Sequence, residues 1–328
     1  MSPPAHASQI KTRFLIISDT HSAVLSTTTP DNVPFRPPLP RADVLLHCGD
    51  LTMLGHLHEY EKTLDMLGGI EAELKLVIAG NHDISLDAPF YRRRGQFMHG
   101  LKDPDESIPQ KARDMWMGPV AKQNGITYLE EGVHHFGLSN GARLKVYASP
   151  YQPEFYDWAF PYHRNQDRFN APHEATPGAD PIAENPIPDF PAIDVVMTHG
   201  PPWGIRDMTV RDKMSVGCEH LLRAARRCRP RLHCFGHIHE AWGAERVSWK
   251  LGEKLGSESK DSVEEAEEVG VREDRMVEER AAYVDISTGG ATPLEFGKET
   301  LMVNASIMNL RYRPMQGPWL VDLDLDSQ

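Results

Sequence analysis

Five short polar clusters each stand directly after an apolar run. Between them they hold seven side chains of metal-ligand type: Asp19 and His21 in SDTH, Asp50 in CGD, Asn81 in GNHD, His199 in THGPP, and His237 and His239 in GHIH. Short apolar runs bounded by turn residues read as buried strands. The runs 13–18, 44–48, 75–79, 143–148, 193–198 and 232–235 are the strand candidates, and apolar residues at three- and four-residue spacing mark helices over 57–67 and 218–228. Strand, loop and helix in alternation predict a layered α/β architecture. In such sheets, chemistry collects on the loops at the carboxyl ends of the strands. The clusters therefore predict a binuclear metal site assembled from strand ends.

The residue types suit that chemistry. Two divalent cations need oxygen donors and imidazoles, with one anionic group shared between them to offset their repulsion. Asp50 is the natural bridge. Seven ligands over two ions leave coordination positions open for water or substrate. One Asp or His after a strand, taken alone, reads more readily as a turn residue or helix cap.

The order of the clusters resembles the calcineurin-like metallophosphoesterases, whose pattern is DxH, GD, GNH[DE], H and GHxH. All five blocks are present between Asp19 and His239, which outweighs the turn reading. The stretches YASPYQPEFYDWAF (147–160), THGPPWG (198–204) and RPRLHCFGHIHEAWG (229–243) are similar to the MPPED-type, or brain protein 239-like, branch. The resemblance implies a layered sandwich of two mixed β-sheets flanked by helices. It implies two divalent ions, with Mn2+ ahead of Fe, Zn or Mg, and hydrolysis of phosphodiesters, cyclic nucleotides included, by attack of a metal-bridging hydroxide. It assigns Asp19, His21, Asp50 and His239 to one metal, and Asp50, Asn81, His199 and His237 to the other. His82 takes the place of the catalytic, non-ligand histidine, and Asp83 the acidic place that would orient its ring. Substrate-binding residues are not legible.

Departures narrow the reading. The GDxxDRG block of protein Ser/Thr phosphatases is replaced by GDLTMLG at 49–55, and there is no GxxxxGK[ST] phosphate loop. The remaining readings are a broad-specificity phosphomonoesterase, or a metal- and nucleotide-binding regulatory protein with little turnover. Tyr151, Phe155, Tyr156, Trp158, Phe160 and Trp203 flank the motifs and are read as core packing ahead of a base-stacking wall. Among the other histidines, His56 and His58, just after Asp50, are the first candidates for extra ligands.

Ligands drawn from both ends of a ~220-residue span must converge, so the chain is expected to form one catalytic domain over 1–328. Irregular insertions are expected at 27–40 and 165–191, with a Glu-, Lys- and Ser-rich one at 251–280 that reads as solvated helix or disorder. Asn140-Gly141 between two strand candidates predicts a hairpin. A formal charge of −12 argues against a long nucleic-acid partner. No apolar stretch reaches ~18 residues, so no membrane partner is expected. The expected partner is a small phosphodiester substrate. Four cysteines without CxxC spacing and no apolar leader point to a cytoplasmic protein with reduced thiols.

Overall fold

The computed structural model describes residues 8–252 and 262–328. Its strands are β1 (Gln9–Ile17), β2 (Ala42–Cys48), β3 (Ala72–Ile78), β4 (Ile126–Tyr128), β5 (Gly132–Gly137), β6 (Arg143–Ser149), the two-residue strands β7 (Gln152–Pro153), β8 (Pro161–Tyr162), β9 (Gln166–Asp167) and β10 (Asp180–Pro181), then β11 (Val195–Thr198), β12 (Leu232–Phe235), β13 (Gly243–Trp249), β14 (Val263–Glu268), β15 (Ala282–Asp285), β16 (Glu299–Asn304) and β17 (Trp319–Asp326). The helices are α1 (Leu57–Gly68), α2 (Ala88–Met98), α3 (Ile108–Met117), α4 (Pro119–Gln123), α5 (Glu219–Cys228) and α6 (Glu273–Glu279).

Two mixed sheets form a layered α/β sandwich. The first has the order β15-β17-β1-β2-β3-β4, the second β14-β13-β16-β12-β11-β6-β5. Period-2 patterning explains the layering, because successive side chains of a strand face opposite sides. Phe14, Ile16, Val44, Leu46, Leu76 and Ile78 face the second sheet and meet Val146, Val195, Met197, Leu232 and Val303 in one buried cluster. Their neighbours Leu15, Ile17, Leu45 and Val77 face outward, against Tyr60, Leu64 and Leu67 of α1 and Ala112 and Trp116 of α3. On the opposite outer face, Tyr147 and Val196 pack on Leu221, Ala224 and Cys228 of α5. Inner strands buried on both faces are mostly apolar where they cross the core, which is why they were legible as runs.

Parallel pairing aligns the ends that matter. β1, β2 and β3 run parallel in one sheet, and β6, β11, β12 and β16 in the other. The loops after β1, β2, β3, β11 and β12 therefore open at one end of the sandwich. The His199 ring joins the layers there, its Nδ1 donating to the Cys48 carbonyl at 2.9 Å.

One expectation needs correction. Residues 263–268 of the charged 251–280 stretch are not disordered or helical but form β14, antiparallel to β13. They are read wrongly because VEEAEE is exposed from Glu264 onward and has no alternating buried face to set a period. The helical part of that reading fits 273–279, and 253–261 lie outside the described residues. The hairpin expected around Asn140-Gly141 forms between β5 and β6, which pair antiparallel. The pairing Gly137↔Arg143 leaves 138–142 as its loop, with Gly141 at φ 89° and the Asn140 side chain accepting from Ala142 N. Asn304, at the end of β16, is fully buried and donates to the Arg206 and Ile238 carbonyls.

Candidate metal centre

Sharp turns follow the strands that deliver the site. Asp19, His21, Asp50 and His237 all take positive φ, at 54°, 45°, 53° and 68°. Such backbone is strained for a side-chain-bearing residue and concentrates at functional sites. Backbone bonds hold the turns in place: Asp19 N donates to Gly49 O, His21 N to Asp50 O, and Gly236 N to His199 O.

Two groups of donor atoms result. One ligand atom each from Asp19, His21, Asp50 and His239 lie within 4.8 Å of one another, and so do atoms from Asp50, His199 and His237. Asp50 belongs to both. Asn81 completes the second group, with its Oδ1 2.9 Å from His199 Nε2. All seven residues singled out in the sequence are thus brought together.

Hydrogen bonds decide which atoms are free. His21 Nδ1 lies 3.0 Å from Thr52 O and His199 Nδ1 2.9 Å from Cys48 O. A carbonyl only accepts, so each Nδ1 carries the proton and each Nε2 turns a lone pair inward. His21 Nε2 then stands 3.2 Å from His239 Nε2, and His199 Nε2 faces the Asn81 amide oxygen. Lone pairs so close repel unless a proton or cation lies between them. The donor set, carboxylate and amide oxygens with imidazoles, fits divalent transition metals.

Without such cations, protons compensate. Burial alone would raise Asp19, but the bond and charge of His239 hold it at about 2. Burial acts upward on Asp50 as well, and the charges of His199, His82 and His21 hold it well below the usual carboxylate range. On His199 burial acts downward, and Asp50 overrides it to raise the imidazole to about 9. His239 is raised despite burial by its bond to Asp19. Burial lowers His21 and His237 to about 3.

Bare Cα atoms make the close approach feasible. A Cβ on Gly236 would stand 2.0 Å from Asp19 Oδ2, and one on Gly80 would stand 2.4 Å from Asp50 Oδ1. These glycines belong to the motifs because the ligand carboxylates pack directly against them.

His82 lines the cleft beside the clusters. Its Nδ1 donates to Met53 O at 2.7 Å, its backbone N donates to Asp50 Oδ1, and its ring stacks on Trp158 with centroids 4.0 Å apart. Asp83 does not orient that ring. Its carboxylate accepts from Gly80 N, Leu51 N, Thr52 N and Thr52 Oγ1, clasping the turn after β2 to the turn after β3. Burial and the Asp50 charge push it up to about 7 against those donors. Consecutive residues in a tight turn point apart, so adjacency to His82 misled the assignment.

His56 and His58 are not additional ligands. His56 stacks on both His58, at 5.4 Å, and His99, at 4.0 Å, and His99 is tied to Leu54 O. Of the flanking aromatics, Phe160 is buried, whereas Phe155 is exposed and sits edge-on to His237. Tyr312 was missed: it lies edge-on to His21, His82's other neighbour, and to His239, on a loop with no motif to flag it. The cleft they border measures ≈ 270 Å³ and includes Arg164, whose guanidinium is held by the carbonyls of Val216 and Gly217.

Residues 12–241 match the calcineurin-like phosphoesterase family model. The human and mouse proteins named Metallophosphoesterase domain-containing protein 1 are each 34% identical over 240 residues, covering 71% of this chain and 62% of theirs. A UPF0046 protein of Caenorhabditis elegans is 31% identical over 245 residues, covering 70% of this chain and 52% of its own. The chain thus spans less than two thirds of the length of these relatives.

Proposed function

This chain belongs to the calcineurin-like phosphoesterase family, and from that premise we propose that it is a metal-dependent hydrolase of small phosphodiesters, cyclic nucleotides among them. The observation that carries the reading is the inward apposition of lone pairs on His21, His239, His199 and Asn81 around the shared Asp50 carboxylate. Asp19, His21, Asp50 and His239 would hold one divalent ion, and Asp50, Asn81, His199 and His237 a second. Two such cations supply Lewis-acid polarisation of phosphoryl oxygens and acidify bound water.

The chain's own groups do the rest. Asp50 would offset the charge of both ions, and the Thr52 and Cys48 carbonyls fix the ring orientations of His21 and His199. Because the His82 Nδ1 proton is committed to Met53 O, its Nε2 is the nitrogen left to hold a proton and pass it to a leaving oxygen. Trp158 against one face of the ring keeps that nitrogen aimed into the cleft. Arg164 retains guanidinium donors for an anionic substrate group. A cleft of ≈ 270 Å³ supports a small substrate in preference to a polymer.

The test is turnover by metal-stripped protein reconstituted one ion at a time with Mn2+, Fe2+, Zn2+ or Mg2+. Bis-p-nitrophenyl phosphate, p-nitrophenyl phosphate, and 2′,3′- and 3′,5′-cyclic nucleotides are the substrates. Diester hydrolysis exceeding monoester hydrolysis is expected. Faster monoester hydrolysis would move the assignment to a phosphomonoesterase, and no turnover with any ion would leave a binding protein.

A further inference from the structure

Three loop tips surround the mouth of the metal cleft, and all three carry exposed apolar side chains. One loop is closed by an antiparallel bridge between Met208 and Ser215, with Thr209 N donating to Met214 O. A second is closed by a bridge between Met308 and Pro314, with Asn309 N donating to Arg313 O. The third is the segment 154–157. Phe155, Thr209, Val216, Leu310 and Tyr312 line the cleft, so the tips converge on one mouth. Val210, Met214 and Leu310 are 61%, 60% and 59% exposed, and Tyr156 79%.

Cations stand among them. Arg211, Lys213, Arg311 and Arg313 are exposed on the two bridged tips, and among the described residues none of these four side chains makes an ion pair. The acids near them are Asp212 on the first tip and Glu240, which lines the cleft and accepts from Val210 N; on the third tip Asp157 pairs with Arg94, and Glu154 lies 3.0 Å from the His163 ring. On a chain of formal charge −12, a locally cationic rim runs against the overall field. A soluble polyanion would use the cations and leave the apolar tips in water. An anionic bilayer uses both, since its headgroups meet the cations and its interfacial layer takes the apolar side chains.

We propose that the rim of the metal cleft is a peripheral docking surface for membranes rich in anionic phospholipid, seating the cleft mouth at the headgroup plane. It needs no spanning segment, and among the described residues no helix is long and apolar enough to cross a membrane. The proposal concerns a binding surface and stands apart from the hydrolysis reading.

Co-sedimentation of the full chain with large unilamellar vesicles tests it. Binding is expected to phosphatidylcholine vesicles containing about 30% phosphatidylserine, to be weakened by salt, and to be absent on pure phosphatidylcholine. Arg211→Glu with Lys213→Glu should weaken it roughly tenfold or more. Val210→Ser with Met214→Ser should weaken it several-fold while circular dichroism and metal content stay unchanged. Equal binding to both vesicle types, binding to neither, or full binding by both double variants overturns the proposal. So does capture by heparin that leaves vesicles unbound, or a dimer in sedimentation velocity that the apolar variant abolishes without any vesicle binding.

Discussion

His82 and Asp50 are joined by a hydrogen bond, yet their removal should have different consequences. His82→Ala leaves every proposed ligand in place, so metal content should hold while kcat falls by about 10²–10⁴. Asp50→Ala takes the carboxylate shared by both clusters and should lose metal and turnover together; a fully active, metal-replete Asp50→Ala protein would contradict the mechanism. Gly236→Ala should behave like a ligand loss although it removes no donor, because the new methyl occupies the space of Asp19 Oδ2. Elemental analysis beside turnover separates the three. A proton account follows from His199, whose pKa is raised to about 9 from 6.5 by Asp50 when no metal is present. That raised value stabilises the metal-free fold fully below about pH 6.5, and the contribution is lost as pH rises through about 9. Metal must displace the same proton, so its apparent affinity should rise with pH over that window, by about tenfold per unit for each proton released. Calorimetric titration in buffers of different ionisation enthalpy would read the proton count. Ligands were legible at this scale because few residue types bind such ions. Tyr312 was not, and Trp158 was weighed as a wall but read as core, because an aromatic wall is chosen by position in space and leaves no pattern along the chain.

Elements were legible to the extent that they are buried. The inner parallel strands showed as apolar runs, and α1 and α5 as spaced apolar residues, because each must hide a face. β13 and β14 escaped notice: GAERVSW is only partly covered, and the glutamates of β14 face water. Loops that join elements are legible only through their partners, and Asp83 illustrates this. Its four accepted bonds tie two strand ends together, so Asp83→Ala strands buried donors and should cost about 3 kcal/mol or more. Thermal melts should show that loss together with weakened metal binding. The pH profile of any residual turnover should stay that of the parent, since the carboxylate does not contact the His82 ring.

Across the whole molecule, the site is divided between layers. The sheet holding β1, β2 and β3 supplies Asp19, His21, Asp50, Asn81 and His82, while β11 and β12 of the other sheet lead to His199, His237 and His239. Metals bound at the seam would tie the sheets together, so adding them should raise the unfolding temperature, and chelation should lower it to the metal-free value. That convergence could be foreseen only because distant motifs had to meet; the order of strands, with β17 beside β1, has no local signature. One margin of this sandwich carries Glu264, Glu265, Glu267 and Glu268 on β14, all exposed, with Glu268 reaching Arg206. An open strand edge invites a neighbouring molecule to extend the ladder into a fibril, and a row of like charge repels it. The glutamates that resembled filler in the sequence therefore act as a fence against self-templated aggregation, and replacing them with threonine should shorten the time concentrated protein stays clear.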